Sequence, residues 1–209
     1  MPVRAQGVLF DLLMGVMDSL QTWTAAGGDS ERGLRWRDTV TERMVAARSY
    51  SPYEDLVVDA AAQVGLPAAA AVELFDRWSD MEPWPDAAAL ARLSLPYGFV
   101  TNCSTALAQI AAHRSGLRPR FTMSAQEAGW YKPEPAIYRA ACRKLGTAPE
   151  ATMFVAGTPY DAAGARAAGL HAWLVLRRPD HHAPDAYISV ATSLETVVAA
   201  SDRGGQAPE

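Results

Sequence analysis

The sequence predicts an α/β fold, a parallel-sheet core into which an all-helical cap is inserted after the first strand. Three observations predict it. An apolar run closed by a carboxylate, "VLFD" at 8–11, stands alone near the amino end. From about residue 18 to 82 the apolar residues recur at helical spacing with no strand signal. From residue 97 onward, strand-like and helix-like segments alternate, which is the pattern of βαβ units and so of a parallel sheet.

A strand buried on both faces reads as an unbroken apolar run, so the charge of Asp11 belongs at its carboxyl end, where the chain leaves the sheet. The helical stretch carries "TVTERMVAARSY", "YEDLVVDAAAQVG" and "AAAAVELFDRWSDM", interrupted at Gly27-Gly28, at "SPYED" and at "GLP". The segment "MEPWPDAAAL" at 81–90 reads as a hinge, because two prolines in three residues cannot lie inside a helix or a central strand. Then come "YGFVTN" with "STALAQIAAHRSG", "RFTMSA" with "PEPAIYRAACRKLG", "TMFVAG" with "YDAAGARAAG", and "HAWLVLR". The first strand must join that sheet, which makes residues 1–17 and 83–209 the core domain and 18–82 a cap over its carboxyl edge. The polar tail at 201–209 is expected to be frayed.

The 209 residues suffice for one such domain with a modest insertion. A formal net charge of −4 and a pI near 5.6 argue against nucleic acid as a partner, and no basic amphipathic or long apolar run points to a membrane. Cys103 and Cys142 are too few for a disulfide framework and lack metal-ligand spacing, which suits a reducing compartment. The amino end has no signal-peptide pattern, so a soluble cytoplasmic protein is expected.

Carboxyl ends of neighbouring parallel strands face one crevice, so polar residues there meet although distant in sequence. Those ends carry Asp11, the pair Thr101-Asn102, and Asp161 just beyond "MFVAGTPY". Lys132 in "GWYKPEP" lies in a loop on the same side, one of two lysines against seventeen arginines. His181-His182 sits in a proline-bracketed loop without a ligand set, and Cys103 has no histidine placed to activate it. No metal site is expected.

In order and spacing, "FDLLMGVMDS", "FVTNCS", "YKPEPAIY" and "FVAGTPYDAAGARAAG" resemble the haloacid dehalogenase superfamily over almost the whole chain. The resemblance implies a Rossmann-like core with Asp11 as nucleophile, a hydroxyl at Thr101, Lys132 before a helix, and an acid after the next strand. Phosphatases of that superfamily bind Mg²⁺ and carry a second Asp two residues after the first, where this chain has Leu13. Their last motif begins with Gly-Asp, where it has Ala156-Gly157. The metal-free L-2-haloacid dehalogenase branch is more similar: "KPEPAIY" supplies Lys132 and Tyr138, and "LRWRDTV" supplies Trp36 and Arg37.

The resemblance implies attack by Asp11 on a halogen-bearing carbon of a small carboxylic acid, with no cofactor, and an ester hydrolysed by water that Asp161 orients or deprotonates. Lys132 would favour the ionised form of the nucleophile and hold it in line. Arg37 and Asn102 would receive the leaving anion. Thr101 and backbone amides at a helix start would hold the substrate carboxylate. Leu13, Trp36, Tyr138, Thr158 and Tyr160 complete the candidate substrate site. Leu13 stands where that branch has Tyr, and Ala156 and Thr158 where it has Ser and Asn. Hydrolysis of a strained ring such as azetidine-2-carboxylate, a phosphatase using Mg²⁺, and a non-catalytic binding protein are the other readings; a homodimer is a further expectation from the resemblance.

Overall fold

Val8, Leu9 and Phe10 are completely buried, and the strand they build, β1 (Gly7–Asp11), lies inside a six-stranded sheet in the computed structural model, which describes residues 4–202. Between this strand and the next the chain forms a π-helical turn, Leu12–Val16, and then four helices: α1 (Ser19–Gly27), α2 (Ser30–Ala47), α3 (Tyr53–Gln63) and α4 (Ala68–Asp76). Two 3₁₀ segments, Arg77–Asp80 and Pro85–Arg92, return it to the core.

The helix boundaries follow from capping chemistry. Asp18 accepts from the Leu20 amide and Asp29 from the Arg32 amide, satisfying amide groups that the first helical turns leave unpaired. Gly28, at φ 84°, ends α1 in the left-handed region. The two helices then cross so closely that a Cβ on Gly33 would lie 2.4 Å from the Trp23 carbonyl oxygen. Trp23, Trp36, Val57, Leu74 and Trp78 fill the cap interior.

The remaining elements are β2 (Tyr97–Thr101), α5 (Thr105–Arg114), β3 (Thr122–Ser124), α6 (Ala125–Ala128), α7 (Pro135–Leu145), β4 (Thr152–Ala156), α8 (Pro159–Ala167), β5 (His171–Val175), β6 (Ser189–Ala191) and α9 (Leu194–Asp202). Every strand pair is parallel, in the spatial order β3-β2-β1-β4-β5-β6. Phe10 pairs with Phe99 on one side and Val155 on the other, and Asp11 with Val100. The chain runs outward from β1 through β2 to β3, then crosses back to β4. The connections on either side of β1 therefore leave in opposite directions, and a crevice opens at its carboxyl end.

The cap rests on this edge through main-chain contacts. Arg48 O accepts from Tyr131 N at 2.8 Å, Tyr50 N donates to Gly129 O at 3.0 Å, and the Tyr131 hydroxyl donates to Ser51 O at 2.6 Å. Trp78 Nε1 also reaches Leu107 O on α5 at 3.0 Å.

Two details depart from the sequence reading. β6 is three residues long, too short to show a period, and α9 packs behind it with Val197 buried. Helix α9 runs through Ser201, which is buried, and Asp202, so the tail does not begin at 201; residues 203–209 lie outside the described residues. Among the described residues no helix is long and apolar enough to cross a membrane.

Candidate active site

Asp11 closes β1, Thr101 closes β2, and Asp161 stands in the first turn of α8 after β4, so three adjacent strands deliver them to one place. Lys132 comes from the loop before α7. Its Nζ donates to Asp11 Oδ1 at 2.8 Å and to Asp161 Oδ2 at 2.6 Å, and it lies 3.4 Å from Val100 O. All three side chains are buried, the lysine with 1% exposed.

Burial pulls the Lys132 ammonium toward neutrality, but the Asp11 and Asp161 carboxylates outweigh it, and its pKa lies above the ordinary lysine value. Burial pushes Asp161 up to about 6; Lys132 opposes the shift, and a hydrogen bond from the Tyr138 hydroxyl to Oδ1 at 2.6 Å opposes it further. Burial likewise pushes the Tyr160 phenol up to about 12, which keeps it a hydrogen-bond donor.

Asn102 has a role that its sequence position did not disclose. Its Nδ2 donates to Lys132 O at 2.9 Å while its Oδ1 accepts from Lys132 N at 2.7 Å. The side-chain amide thus clamps the lysine main chain, and one N–H remains for a ligand.

A cavity of about 40 Å³ opens above the three charges, lined on the core side by Asp11, Leu13, Thr101, Asn102, Lys132, Thr158 and Tyr160. Arg37 enters it from the cap, 8% exposed, with Nη1 on Asp38 Oδ1 at 3.0 Å. Val40, Thr41 and Met44 follow Arg37 along the same face of α2, the i, i+3, i+4, i+7 pattern, and Trp23 and Tyr53 add aromatic walls. Helical spacing counted from Arg37 is the sequence signal for this face. Thr158 Oγ1 is buried among the described residues without a hydrogen-bond partner.

Two predicted contact residues lie elsewhere. Trp36 does not line the cavity; fully buried in the cap, it donates from Nε1 to Val57 O at 2.9 Å and meets Trp23 edge-on at 4.8 Å between centroids. Successive helical residues diverge by about 100°, so Trp36 and Arg37 cannot both face the crevice. Tyr138 stands behind Asp161, as its hydrogen-bond donor.

Cys103, fully buried with its thiol pushed up to about 12 by desolvation, is no nucleophile near neutrality. Among the described residues no three His, Cys, Asp or Glu side chains cluster as metal ligands. The space between Asp11 and Asp161 is held by an ammonium.

Residues 7–169 match the family model of haloacid dehalogenase-like hydrolases. The chain belongs to that hydrolase family. Similarity to individual members is distributed differently. Haloacetate dehalogenase H-2 of Moraxella sp. (strain B) is 29% identical over 105 residues, 47% of this chain and 47% of that protein, so the match spans about half of the curated relative. The crystal structure of the L-2-haloacid dehalogenase PA0810 is 25% identical with a TM-score of 0.74, covering 92% of this chain and 95% of its own. The structure of L-2-haloacid dehalogenase from Xanthobacter autotrophicus with chloropropionic acid covalently bound gives a TM-score of 0.81 at 19% identity, over 97% of this chain and 100% of that one. This chain's six-stranded parallel sheet and its surrounding helices thus share the fold of these two solved structures.

Proposed function

We propose that this hydrolase cleaves the carbon–halogen bond of a small 2-haloalkanoic acid, without a metal, through an ester on Asp11. The observation that carries the reading is the single ammonium of Lys132 bridging Asp11 and Asp161 in a buried site. An ammonium there neutralises the nucleophile's surroundings and fixes its oxygen, as a metal would in a phosphoryl-transfer site, while Leu13 offers no second acid for a phosphate leaving group.

The chemistry follows from the contacts. Lys132 engages Oδ1 of Asp11, which leaves Oδ2 to attack the carbon bearing the halogen. A C–O bond forms as the C–X bond breaks, and the halide leaves with the bonding pair toward the guanidinium of Arg37 and the phenol of Tyr160 on the cavity wall. Water then attacks the ester carbonyl and gives a proton to Asp161. The tetrahedral intermediate expels the 2-hydroxy acid, which takes that proton back, and Asp11, left protonated by the water's second hydrogen, loses it to solvent and is regenerated as a carboxylate.

The cavity supports a small substrate. On the scale where one water needs roughly 10–15 Å³, its 40 Å³ admits only a few non-hydrogen atoms without movement of the cap. A haloacetate dehalogenase among the relatives and a covalent chloropropionic acid adduct in a fold neighbour point the same way.

The test is halide release from chloroacetate and from R- and S-2-chloro- and 2-bromoalkanoates, with EDTA present, by the wild type and by Asp11→Asn. EDTA-resistant release that disappears in the variant, with an adduct on Asp11 seen by mass spectrometry, is the expected result. Silence of the wild type across the panel overturns the reading.

A further inference from the structure

The turn that follows the nucleophile is held by side chains from outside the charged centre. Leu12–Val16 is a single π-helical turn packed directly against Asp11: a Cβ on Gly15 would lie 3.4 Å from the Asp11 Cβ. Two carbonyls of this turn are pinned. Trp84 Nε1, from the hinge, donates to Met14 O at 3.0 Å. Arg177 Nη2, from the end of β5, donates to Gly15 O at 2.7 Å.

Arg177 is itself held by Asp86 and the Trp84 ring, although its buried Nε has no hydrogen-bond partner among the described residues. Its guanidinium makes a two-pronged pair with Asp86, Nη1 to Oδ2 and Nη2 to Oδ1, both at 2.9 Å. It lies over the Trp84 ring at 4.9 Å, and its side chain is only 6% exposed. Asp86 also accepts from the Leu194 amide at 2.9 Å, which ties the start of α9 to the same knot. A planar fork suits this geometry because it can bond a carboxylate and a carbonyl together while stacking on an aromatic face.

We infer that Arg177, with Asp86 as its counter-charge, is a positioning residue that sets the carboxylate of Asp11 for attack by clamping the Gly15 carbonyl. Breaking the clamp lets the turn drift, and Asp11 leaves the near-attack arrangement while Arg37, Thr101, Asn102, Lys132 and Tyr160, which the turn does not carry, still line the cavity. Small misplacement of a reacting group lowers the chemical rate much more than it lowers binding.

The inference rests on the proposed dehalogenation for its kinetic readout, and a second readout stands free of it. Arg177→Met leaves the partly buried Asp86 without a counter-charge and with only the Leu194 amide as partner, so it lowers both stability and rate. Pairing it with Asp86→Leu removes both charges, which restores stability when the ion pair is only structural. The expected result for the double variant is a Tm within a few degrees of the wild type, ester formation in single turnovers with chloroacetate slowed at least tenfold, and KM changed less than threefold. Hydrogen exchange in peptides covering residues 8–19 rises in both variants, the double one included. Recovery of the rate together with the Tm overturns the inference. Exchange at 8–19 as slow in the double variant as in the wild type overturns it whatever the substrate proves to be, whereas a wild type silent toward haloacids counts only against the proposed reaction.

Discussion

Lys132 lies within 2.8 Å of Asp11 Oδ1 although 121 residues separate them, and the contact is buried on both sides. The same ammonium serves Asp161, so one positive charge balances two carboxylates in a buried site. Such an arrangement is costly to assemble and far more costly to break by removing one member.

Lys132→Met is therefore expected to abolish turnover, by at least a thousandfold, and to lower stability by about 3–5 kcal/mol near neutral pH. The sign of its pH dependence is fixed by Asp161. A carboxyl whose folded-state pKa is raised contributes stability that is complete below its unfolded value, here 3.8, and is lost as pH rises through the folded value, here about 6 and higher once the lysine is gone. The Tm deficit of the variant against the wild type should then shrink between pH 8 and pH 5. Calorimetric scans at both pH values check this, and a constant deficit would show that Asp161 is not carrying the lost charge balance.

The same group sets the acid side of the rate profile. Asp161 must be ionised to take a proton from water, so ester hydrolysis, and kcat where that step limits it, is expected to fall tenfold per pH unit below about 6, where an unshifted carboxylate would place the limb near 3.8. The Tyr138 hydroxyl holds that value down, so Tyr138→Phe should move the limb upward by roughly one unit, the equivalent of about 1.4 kcal/mol. Rate profiles with 2-chloropropionate decide it; a limb unmoved in the variant would detach Tyr138 from the chemistry.

Gly157 predicts a steric limit. A Cβ there would sit 2.3 Å from the Met14 carbonyl carbon and 2.5 Å from Gly15 N, backbone atoms that cannot swing aside. Gly157→Ala should lower stability by about 1–3 kcal/mol and cut kcat at least tenfold, because relief requires movement of the turn behind Asp11. Gly157→Asp, which would write a phosphatase-like acid into this position, should fail to confer Mg²⁺-dependent phosphatase activity for the same reason. Thermal melts with phosphoester and haloacid assays on both variants test the two statements.

The core and the carboxylates of its charged centre were legible in the sequence because they follow from where strands end, while Lys132, in a loop, stood out as one of two lysines in the chain. An apolar run fixes where a buried strand ends, and the residues at such ends, Asp11, Thr101 and Asp161, meet by topology alone. What escaped depends on side-chain direction and on contacts between distant segments. The sequence places Trp36 beside Arg37 in the candidate site, yet one step along a helix turns it into the cap interior. Asn102 reads as a ligand group alone until its amide is seen to clamp the Lys132 main chain as well. The link from Arg177 through Asp86 to Gly15 joins segments 162 and 91 residues apart, and no local pattern announces such a pairing.

Met44 tests the size of the substrate. It stands on the cavity face of α2, 6% exposed, two turns beyond Arg37, so shortening it enlarges the wall opposite the charged centre without touching Asp11, Lys132 or Asp161. One methylene more or less in an apolar pocket is worth about 1–3 kcal/mol in selectivity. Met44→Ala is accordingly expected to raise kcat/KM for 2-chlorobutanoate relative to chloroacetate by roughly tenfold or more, while lowering stability by about 2 kcal/mol, the low end for a methionine truncated beside existing space. Halide release measured on the two substrates for wild type and variant gives the ratio directly. An unchanged ratio would mean that the longer chain does not reach α2 and that the alkyl group lies instead toward Leu13 on the core side of the cavity.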